Sequence, residues 1–451
     1  GKMPPLVKYV LTYLFVQAEF GLCCPVSMTD SLARTLRKFG SPELVERFLP
    51  RFQSVDFDTL AQGAMFMTEQ AAGSDIAATV TAAAQDASGQ WRLTGDKWFC
   101  SNPDADFAMV LAHVEGSPAG MKGVSLFLLP RRLDDGSANH YRIIRLKDKL
   151  GTRSMASGEI RLEGAIAHLV GELGRGFVQM ADMVNNSRLS NGVRAAGLMR
   201  RAVAEAEYVA SERRAFGKRL ADMPLMQRQL QKLRLPAEQA RTMVFQTALA
   251  LARSDGGEAE AYPLLRILTP LIKFRACRDA RKVTGDAMEV RGGCGYIEEW
   301  ADPRLVRDSH LGSIWEGTSN IVALDVIRAI KREESLPALQ AHFGALLDDA
   351  AVTPGFAAAL RDALVRAALL ATHAAQEGGD LLARQAASAL YHTCSAIAMA
   401  WEGGRTGSTQ RIEWAQGVLL HRVLPRDPLL PAVVPPSWNT TMATETEAAI
   451  A

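Results

Sequence analysis

Ser309-His310-Leu311-Gly312-Ser313-Ile314-Trp315-Glu316-Gly317-Thr318-Ser319-Asn320 sets one carboxylate between an aromatic residue and a glycine. Gly317 lets the backbone turn, or lets a ligand approach it closely. Thr318, Ser319 and Asn320 offer N-cap oxygens to the helical run Ile321 to Ile330. A carboxylate on such a turn, beside an aromatic wall, can be desolvated and serve as a general base. Taken alone the stretch is weak, because a Glu near a helix start more often serves the helix dipole or a cap.

Three further stretches change this reading: Met67-Thr68-Glu69-Gln70-Ala71-Ala72-Gly73-Ser74-Asp75, Arg213-Arg214-Ala215-Phe216-Gly217-Lys218 and Gly292-Gly293-Cys294-Gly295-Tyr296. In this order and spacing, with the Glu316 stretch, they resemble the acyl-CoA dehydrogenase flavoprotein family from about Leu32 to Ile330. Met67-Thr68-Glu69, Lys147-Asp148-Lys149-Leu150-Gly151 and Ser313-Ile314-Trp315-Glu316-Gly317 are most similar to its AidB-like branch, named for a bacterial alkylation-response protein.

At 451 residues the chain can hold two or three domains. Apolar residues at 48% and charged residues at 22% are ordinary for a globular protein. A net charge of +2 gives no general attraction to nucleic acid or anionic membrane. Six cysteines without metal-ligand spacing read as free thiols, which fits a reducing, cytoplasmic setting. No apolar run of ~18 residues suggests a membrane span. Gly1-Lys2-Met3-Pro4-Pro5 does not read as a signal peptide. The resembling family has a longer first helical domain, so the start of that domain is expected to be missing.

Residues 1–61 read as helical, with Ser41-Pro42-Glu43 as an N-cap followed by Pro at the first helical position. From 62 to 176 the pattern changes to short apolar runs, such as Phe107 to Ala112 and Val124 to Leu129. Thr94-Gly95-Asp96 suggests a hairpin turn. This is expected to be a mostly antiparallel β domain. Helical periodicity returns over 177–330, with Leu198, Ala202, Ala206 and Val209 on one face, and an antiparallel helix bundle is expected. Lys331-Arg332-Glu333-Glu334 marks a boundary. Residues 331–451 read as an extra helical domain, broken at Gly403-Gly404 and ending in a Pro-rich, irregular or mobile tail from Pro425. The fold class is α+β, mainly α.

No GxGxxG opens a helix after a strand, no GxxxxGK[ST] or GxSxG occurs, and no His/Cys cluster suggests a metal. The family resemblance implies FAD. It implies contacts to the flavin ring from Phe66, Thr68, Trp98 and Ser101, with Ser74 nearby; bare sequence would make Trp98 a core aromatic and Thr68 a strand residue. It implies that Arg213 and Phe216 reach the FAD of a neighbouring subunit, that Gly292 and Gly293 form the next contact, and that Thr318 and Asn320 hold the nucleotide end. Glu289 stands where the family commonly has Gln, and would repel a pyrophosphate.

The resemblance makes Glu316 the catalytic base, since Ser187 occupies the alternative base position and cannot do that work. Ser74, Arg188 and Trp315 are the implied substrate contacts. Asn185 replaces an acid that the family often uses to hold CoA. The expected reaction removes an α-proton and a β-hydride from an acyl-CoA thioester, with an electron-transfer flavoprotein as acceptor and a homo-oligomer, usually a tetramer, as the assembly. A DNA-associated AidB-like flavoprotein with little dehydrogenation is the alternative. Nine Lys/Arg against twelve Asp/Glu in residues 331–451, a net of −3, disfavours a strong grip on DNA. A flavin monooxygenase on the same scaffold remains a third reading of the residues.

Overall fold

A computed structural model describes residues 3–438, so the last part of the expected irregular tail lies outside the described residues. Three helices come first: α1 (Pro5–Phe15), α2 (Cys23–Phe39) and α3 (Pro42–Phe52). Seven strands follow: β1 (Gly63–Phe66), β2 (Ala82–Gln85), β3 (Trp91–Ser101), β4 (Phe107–Val114), β5 (Val124–Pro130), β6 (Tyr141–Leu146) and β7 (Ser157–Val170). Then come α4 (Gly176–Glu212), a small hairpin of β8 (Arg214–Ala215) and β9 (Lys218–Arg219), α5 (Pro224–Asp255) and α6 (Ala261–Val290). The remaining helices are α7 (Ala301–Leu311), α8 (Ser319–Arg332), α9 (Ser335–Asp348), α10 (Pro354–Ala374), α11 (Ala383–Thr406) and α12 (Thr409–Val418). The chain divides into two compact units. One is Leu11–Arg194 with Pro303–Gly317; the other holds Ala195–Asp302, the residues from Thr318 onward and those through Val10.

In the first unit the strand pairings β4–β2–β3–β7–β5–β4 close on themselves, with β1 added to β4 and β6 to β7. Most pairings are antiparallel, while β1–β4 and β2–β4 are parallel. Strand β4 is apolar on both faces because both are covered. Phe107, Met109 and Leu111 join a core with Met28, Leu32 and Leu36 of α2 and Met180 and Met183 of α4. Ala108, Val110 and Ala112 face a second core with Phe66, Phe127 and Ile160. Ser41 caps α3 through Leu44 N, as its Ser-Pro-Glu start suggests.

Thr94-Gly95-Asp96 is not a hairpin turn. Strand β3 runs through it, with a register irregularity at Leu93/Thr94. A Cβ on Gly95 would lie 2.8 Å from the Thr81 Cα, so glycine permits a close backbone approach within a strand.

In the second unit α11 lies among α5, α8, α9, α10 and α12. Its Leu390, Cys394, Ile397 and Met399 are all fully buried, which suits a helix covered on most sides. The break expected at Gly403-Gly404 is absent, and α11 continues to Gly407, whose φ of 69° ends it. The two glycines are needed for closeness instead. A Cβ on Gly403 would meet Ile412 at 2.7 Å, and one on Gly404 would meet the Ala351 backbone N at 2.7 Å. The described part of the tail is irregular but anchored: Trp438 is buried, packs its ring 5.1 Å from Phe356, and its carbonyl accepts from Gln416 Nε2.

An ion pair invisible to sequence patterning lies inside the β unit. Lys97 Nζ donates to Glu69 Oε1 at 2.6 Å and to the Leu111 carbonyl at 2.7 Å. Glu69 also accepts from Thr81 Oγ1, Thr81 N and Val80 N. Burial works against both charges and holds the Lys97 ammonium below its ordinary range. Burial likewise opposes ionisation of Glu69, but Lys97 and these donors outweigh it and lower the carboxyl's pKa. The contribution of Glu69 is therefore present above the unfolded glutamate pKa of ~4.3 and is lost as pH falls through the lower folded value. Lys97→Met strands the carboxylate and should lower the unfolding free energy by about 3–5 kcal/mol. Urea unfolding at neutral pH checks this, and a loss under ~1 kcal/mol would show that the pair does not hold the sheet.

Candidate active site

Helix α7 ends in a tight series of turns that sets Glu316 in the left-handed region, φ 47°, ahead of Gly317 at φ 102°. A non-glycine residue there carries strain of ~1–3 kcal/mol unless its surroundings fix it. Here α4 does so. Ser187 Oγ donates to Glu316 Oε1 at 2.9 Å and Asn191 Nδ2 donates to Oε2 at 2.6 Å. Arg188 Nε donates to the Glu316 carbonyl at 2.9 Å, and its Nη1 reaches Asn185 Oδ1 at 3.3 Å. Ser187 and Asn191 are four apart and share one helix face, so both reach the same carboxylate.

The turn is held from its other side too. A Cβ on Gly151 would meet the Arg307 backbone at 2.7 Å, and Thr152 N donates to Asp308 Oδ1 at 2.6 Å. Burial pushes the Asp308 carboxyl up against that bond. Gly151 and Thr152 are thus the seat of the last turns of α7.

Trp315 stacks on Phe20, with ring centroids 6.3 Å apart and planes at 17°. The Arg194 guanidinium lies over the Trp315 ring, 4.7 Å from its centroid. The Cys24 thiol, pushed up to about 11 by burial, is pulled back by Arg194 and by hydrogen bonding to Arg194 and Ser101. Trp98 lies under Lys147 Nζ at 3.7 Å, and its backbone N donates to the Thr68 carbonyl at 2.8 Å. Phe66 is buried in the sheet core, so its side chain is not presented to a ligand. Ser74 is exposed in the turn before a short 3-10 segment, where Asp75, not Ser74, supplies the N-cap oxygen.

The second unit carries the other implied residues. Arg213 Nη1 donates to the Arg291 carbonyl at 3.0 Å, and a Cβ on Gly292 would come within 3.0 Å of that nitrogen. Gly292 has φ 71°, so a side chain would be strained as well as crowded. Gly293 has open space and Glu289 is exposed. Phe216 is 97% exposed at the tip of the β8–β9 hairpin, in a left-handed pair with Gly217.

Thr318 occupies the N-cap of α8, but its side chain makes no capping bond, contrary to the sequence expectation. Ser319 accepts from Arg278 Nη1 at 3.1 Å and Asn320 from Arg384 Nη1 at 3.3 Å. Those two hydroxyl and amide oxygens are turned to arginines rather than to the helix start. Burial, and then Arg384, Arg281 and Arg275, lower the pKa of Arg278, which marks a concentration of positive charge.

Three consecutive stretches match known domain families: the adaptive response protein AidB N-terminal domain over 3–59, the acyl-CoA dehydrogenase middle domain over 64–165, and the acyl-CoA dehydrogenase C-terminal domain over 174–331. The chain belongs to the acyl-CoA dehydrogenase family. It is 37% identical over 334 residues to the putative acyl-CoA dehydrogenase AidB of Escherichia coli (strain K12), covering 71% of this chain and 59% of that protein. It is 34% identical over 334 residues to acyl-CoA dehydrogenase family member 11 of Caenorhabditis elegans, covering 72% and 54%. The chain thus spans between half and three fifths of the length of these two curated relatives. The solved structure of Caenorhabditis elegans ACDH-11 in complex with C11-CoA superposes with a TM-score of 0.82 at 32% identity, covering 87% of this chain and 70% of that one. The AidB domain match and the AidB relative assign the chain to the AidB-like branch of the family.

Within the first unit Glu316, Trp315 and Arg188 come together as the motif reading expects. Asn191, Arg194, Phe20 and Cys24 were missed. The helical step from Ser187 to Asn191 was a usable signal; nothing in sequence marked the other three. Arg188→Met removes a charged donor from the Glu316 carbonyl and should lower the unfolding free energy by about 1.5–3 kcal/mol. A urea titration measures this; a change below ~0.5 kcal/mol would mean that the bond does not fix the turn.

Proposed function

We propose that the protein is an FAD-dependent dehydrogenase of acyl-CoA thioesters in which Glu316 removes the α-proton, giving a trans-2-enoyl thioester. The observation that carries this is a carboxylate set on a strained turn and oriented by two neutral donors. Ser187 and Asn191 occupy two of about four lone-pair directions of Glu316, leaving capacity to accept a proton. Among the described residues the Glu316 N–H donates to no backbone acceptor, so it is suited to polarise the thioester carbonyl. Trp315 and Arg188 fix the turn, and Ser74 is exposed for a polar contact with the thioester.

Each unit carries groups of the kind that FAD needs. The Thr68 and Trp98 segments, the Phe66 backbone and the Ser101 hydroxyl suit a ring with polar edges and flat faces. Arg213 beside Gly292 and Gly293, with the uncapped α8 start at Thr318 and Asn320 and the arginines around it, suits a pyrophosphate and nucleotide. When bound, FAD supplies the acceptor, at N5, for the hydride leaving the β-carbon.

The exposed Phe216 at its hairpin tip supports a homo-oligomer, with a tetramer as the expected form. An electron-transfer flavoprotein is the fitting acceptor. Six free cysteines, five of them buried, suit a reducing compartment such as the cytoplasm. The −3 charge of residues 331–451 favours this reading over a DNA-associated one.

The purified protein should yield FAD, not FMN, on denaturation and chromatography. Light scattering should report more than one copy per particle; a fully loaded monomer would remove the role given to Phe216.

Glu316→Gln tests the base. Its amide can be seated, with the oxygen toward Asn191 Nδ2 and the NH2 toward the Ser187 hydroxyl, which can turn to accept. FAD content should therefore be unchanged, while thioester-driven flavin bleaching under anaerobic conditions falls at least ~10²-fold. Ser187→Glu in that background should restore part of the activity, because Ser187 Oγ lies 2.9 Å from the lost carboxylate oxygen. Bleaching as fast as in the parent would dismiss Glu316 as the base.

A further inference from the structure

Five arginines are buried among the described residues: Arg188, Arg194, Arg266, Arg291 and Arg411. Burying a guanidinium is costly unless its donors are paired. Arg266 pairs with Asp325 and Glu333, Arg291 with Asp302 and Glu205, and Arg411 with Glu238 and Glu402. Arg188 donates to the Glu316 carbonyl and Asn185. Arg194 differs. Its side chain is wholly buried, its Nε makes one long bond to the Ser190 carbonyl at 3.4 Å, and neither Nη1 nor Nη2 meets an oxygen or nitrogen acceptor among the described residues, the weakly accepting Cys24 thiol apart.

No carboxylate among the described residues hydrogen-bonds to Arg194. Trp315 and Phe20 lie against the guanidinium at 4.7 and 5.7 Å, which supports the cation without supplying an acceptor for its N–H groups. The neighbouring Cys24 thiol is pushed up to about 11 and stays protonated at neutral pH. Both Glu316 oxygens already accept from Ser187 and Asn191. Two more buried groups lack partners nearby in the chain path: Trp315 Nε1, on the ring that Arg194 covers, and Ser27 Oγ, one turn beyond Cys24 on α2.

Arg194 shares a helix face with the residues that hold the base. The steps from Ser187 to Asn191 and from Asn191 to Arg194 are four and three, so Arg194 stands about one turn, ~5 Å, farther along α4. A ligand group reaching it would be a few bonds from a carbon at Glu316. Two parallel N–H donors make the fork that binds a carboxylate bidentately, and Trp315 Nε1 adds a third donor.

We propose that Arg194, with Trp315, receives a carboxylate carried on the acyl group, so that the preferred substrates are CoA monothioesters of dicarboxylic acids rather than simple fatty acyl-CoAs. This rests on the thioester reading of the Glu316 site and narrows its substrate class. The carboxylate supplies the oxygen acceptors that the Arg194 Nη groups lack.

The test is calorimetric titration of the FAD-loaded full chain with straight-chain acyl-CoAs and with the ω-carboxylated thioesters of equal carbon number, over a ladder of lengths. The carboxylated member should bind at least about tenfold tighter at one or more lengths. Arg194→Met should collapse that ratio toward one, with Arg194→Gln as the replacement if the Met variant does not fold, and Arg194→Lys should keep part of it. No preference at any length, or a preference that survives Arg194→Met or Arg194→Gln, overturns the proposal. Flavin content and absorption are followed in the same variants. Loss of flavin with an unchanged ligand ratio would place the acceptor of Arg194 on the cofactor and also overturn it. Binding is read without bleaching, so the two readings fail separately. A carboxylate preference without bleaching sinks the dehydrogenase reading alone, and bleaching by straight-chain thioesters without the preference sinks the Arg194 assignment alone.

Discussion

The hold of α4 on the Glu316 turn is the contact on which the geometry of the candidate site depends. Glu316 has a backbone conformation that a non-glycine residue avoids, and three hydrogen bonds from one helix face keep it there. The division of labour matters. The charged donor, Arg188, goes to the main-chain carbonyl, whereas among the described residues the carboxylate receives a hydroxyl and an amide. The side chain is thereby oriented without being locked into an ion pair. The same helix supplies all three donors, so a shift of the turn relative to α4 would break all three contacts together.

A second constraint works at the sheet. Lys97 and Glu69 lie in the two segments that also carry Trp98 and Thr68, and the Trp98 N to Thr68 carbonyl bond joins those segments one residue further along. The buried pair therefore fixes the relative height of two backbones that the flavin reading needs side by side. Buried ion pairs are weak evidence for stability as such. Here the location argues for positioning: the pair is satisfied by Thr81, Val80 and Leu111 as well, so neither segment can slide without leaving several polar groups unpaired.

Much of the architecture was legible because it is written in local chemistry. The Ser41-Pro42 start, the two-faced apolar run of β4 and the helical stepping of the bundle each follow from short-range rules. The errors share one cause. Thr94-Gly95-Asp96 and Gly403-Gly404 look like breaks, but their glycines serve tertiary closeness to Thr81, Ile412 and Ala351, which sequence spacing does not reveal. Thr318 stands at a helix start as expected, yet its hydroxyl does not cap, because a cap residue's rotamer answers to its surroundings. At the candidate site, Glu316, Trp315, Ser187 and Arg188 were named through the family resemblance.

Arg194 shows where such reading stops. In sequence, Arg194, Arg200 and Arg201 are basic residues along one helical stretch, and unlike Arg188 none of them is marked by the family resemblance. Burial separates them: Arg194 is fully enclosed while Arg201 is partly exposed and pairs with Glu205. Pairing then separates Arg194 from Arg266, Arg291 and Arg411, which meet carboxylates distant in sequence. Neither property has a local signature, since each depends on what the rest of the fold brings near. Buried guanidinium N–H groups without oxygen or nitrogen acceptors are costly for folding, and on the proposed reading a ligand carboxylate would offset that cost.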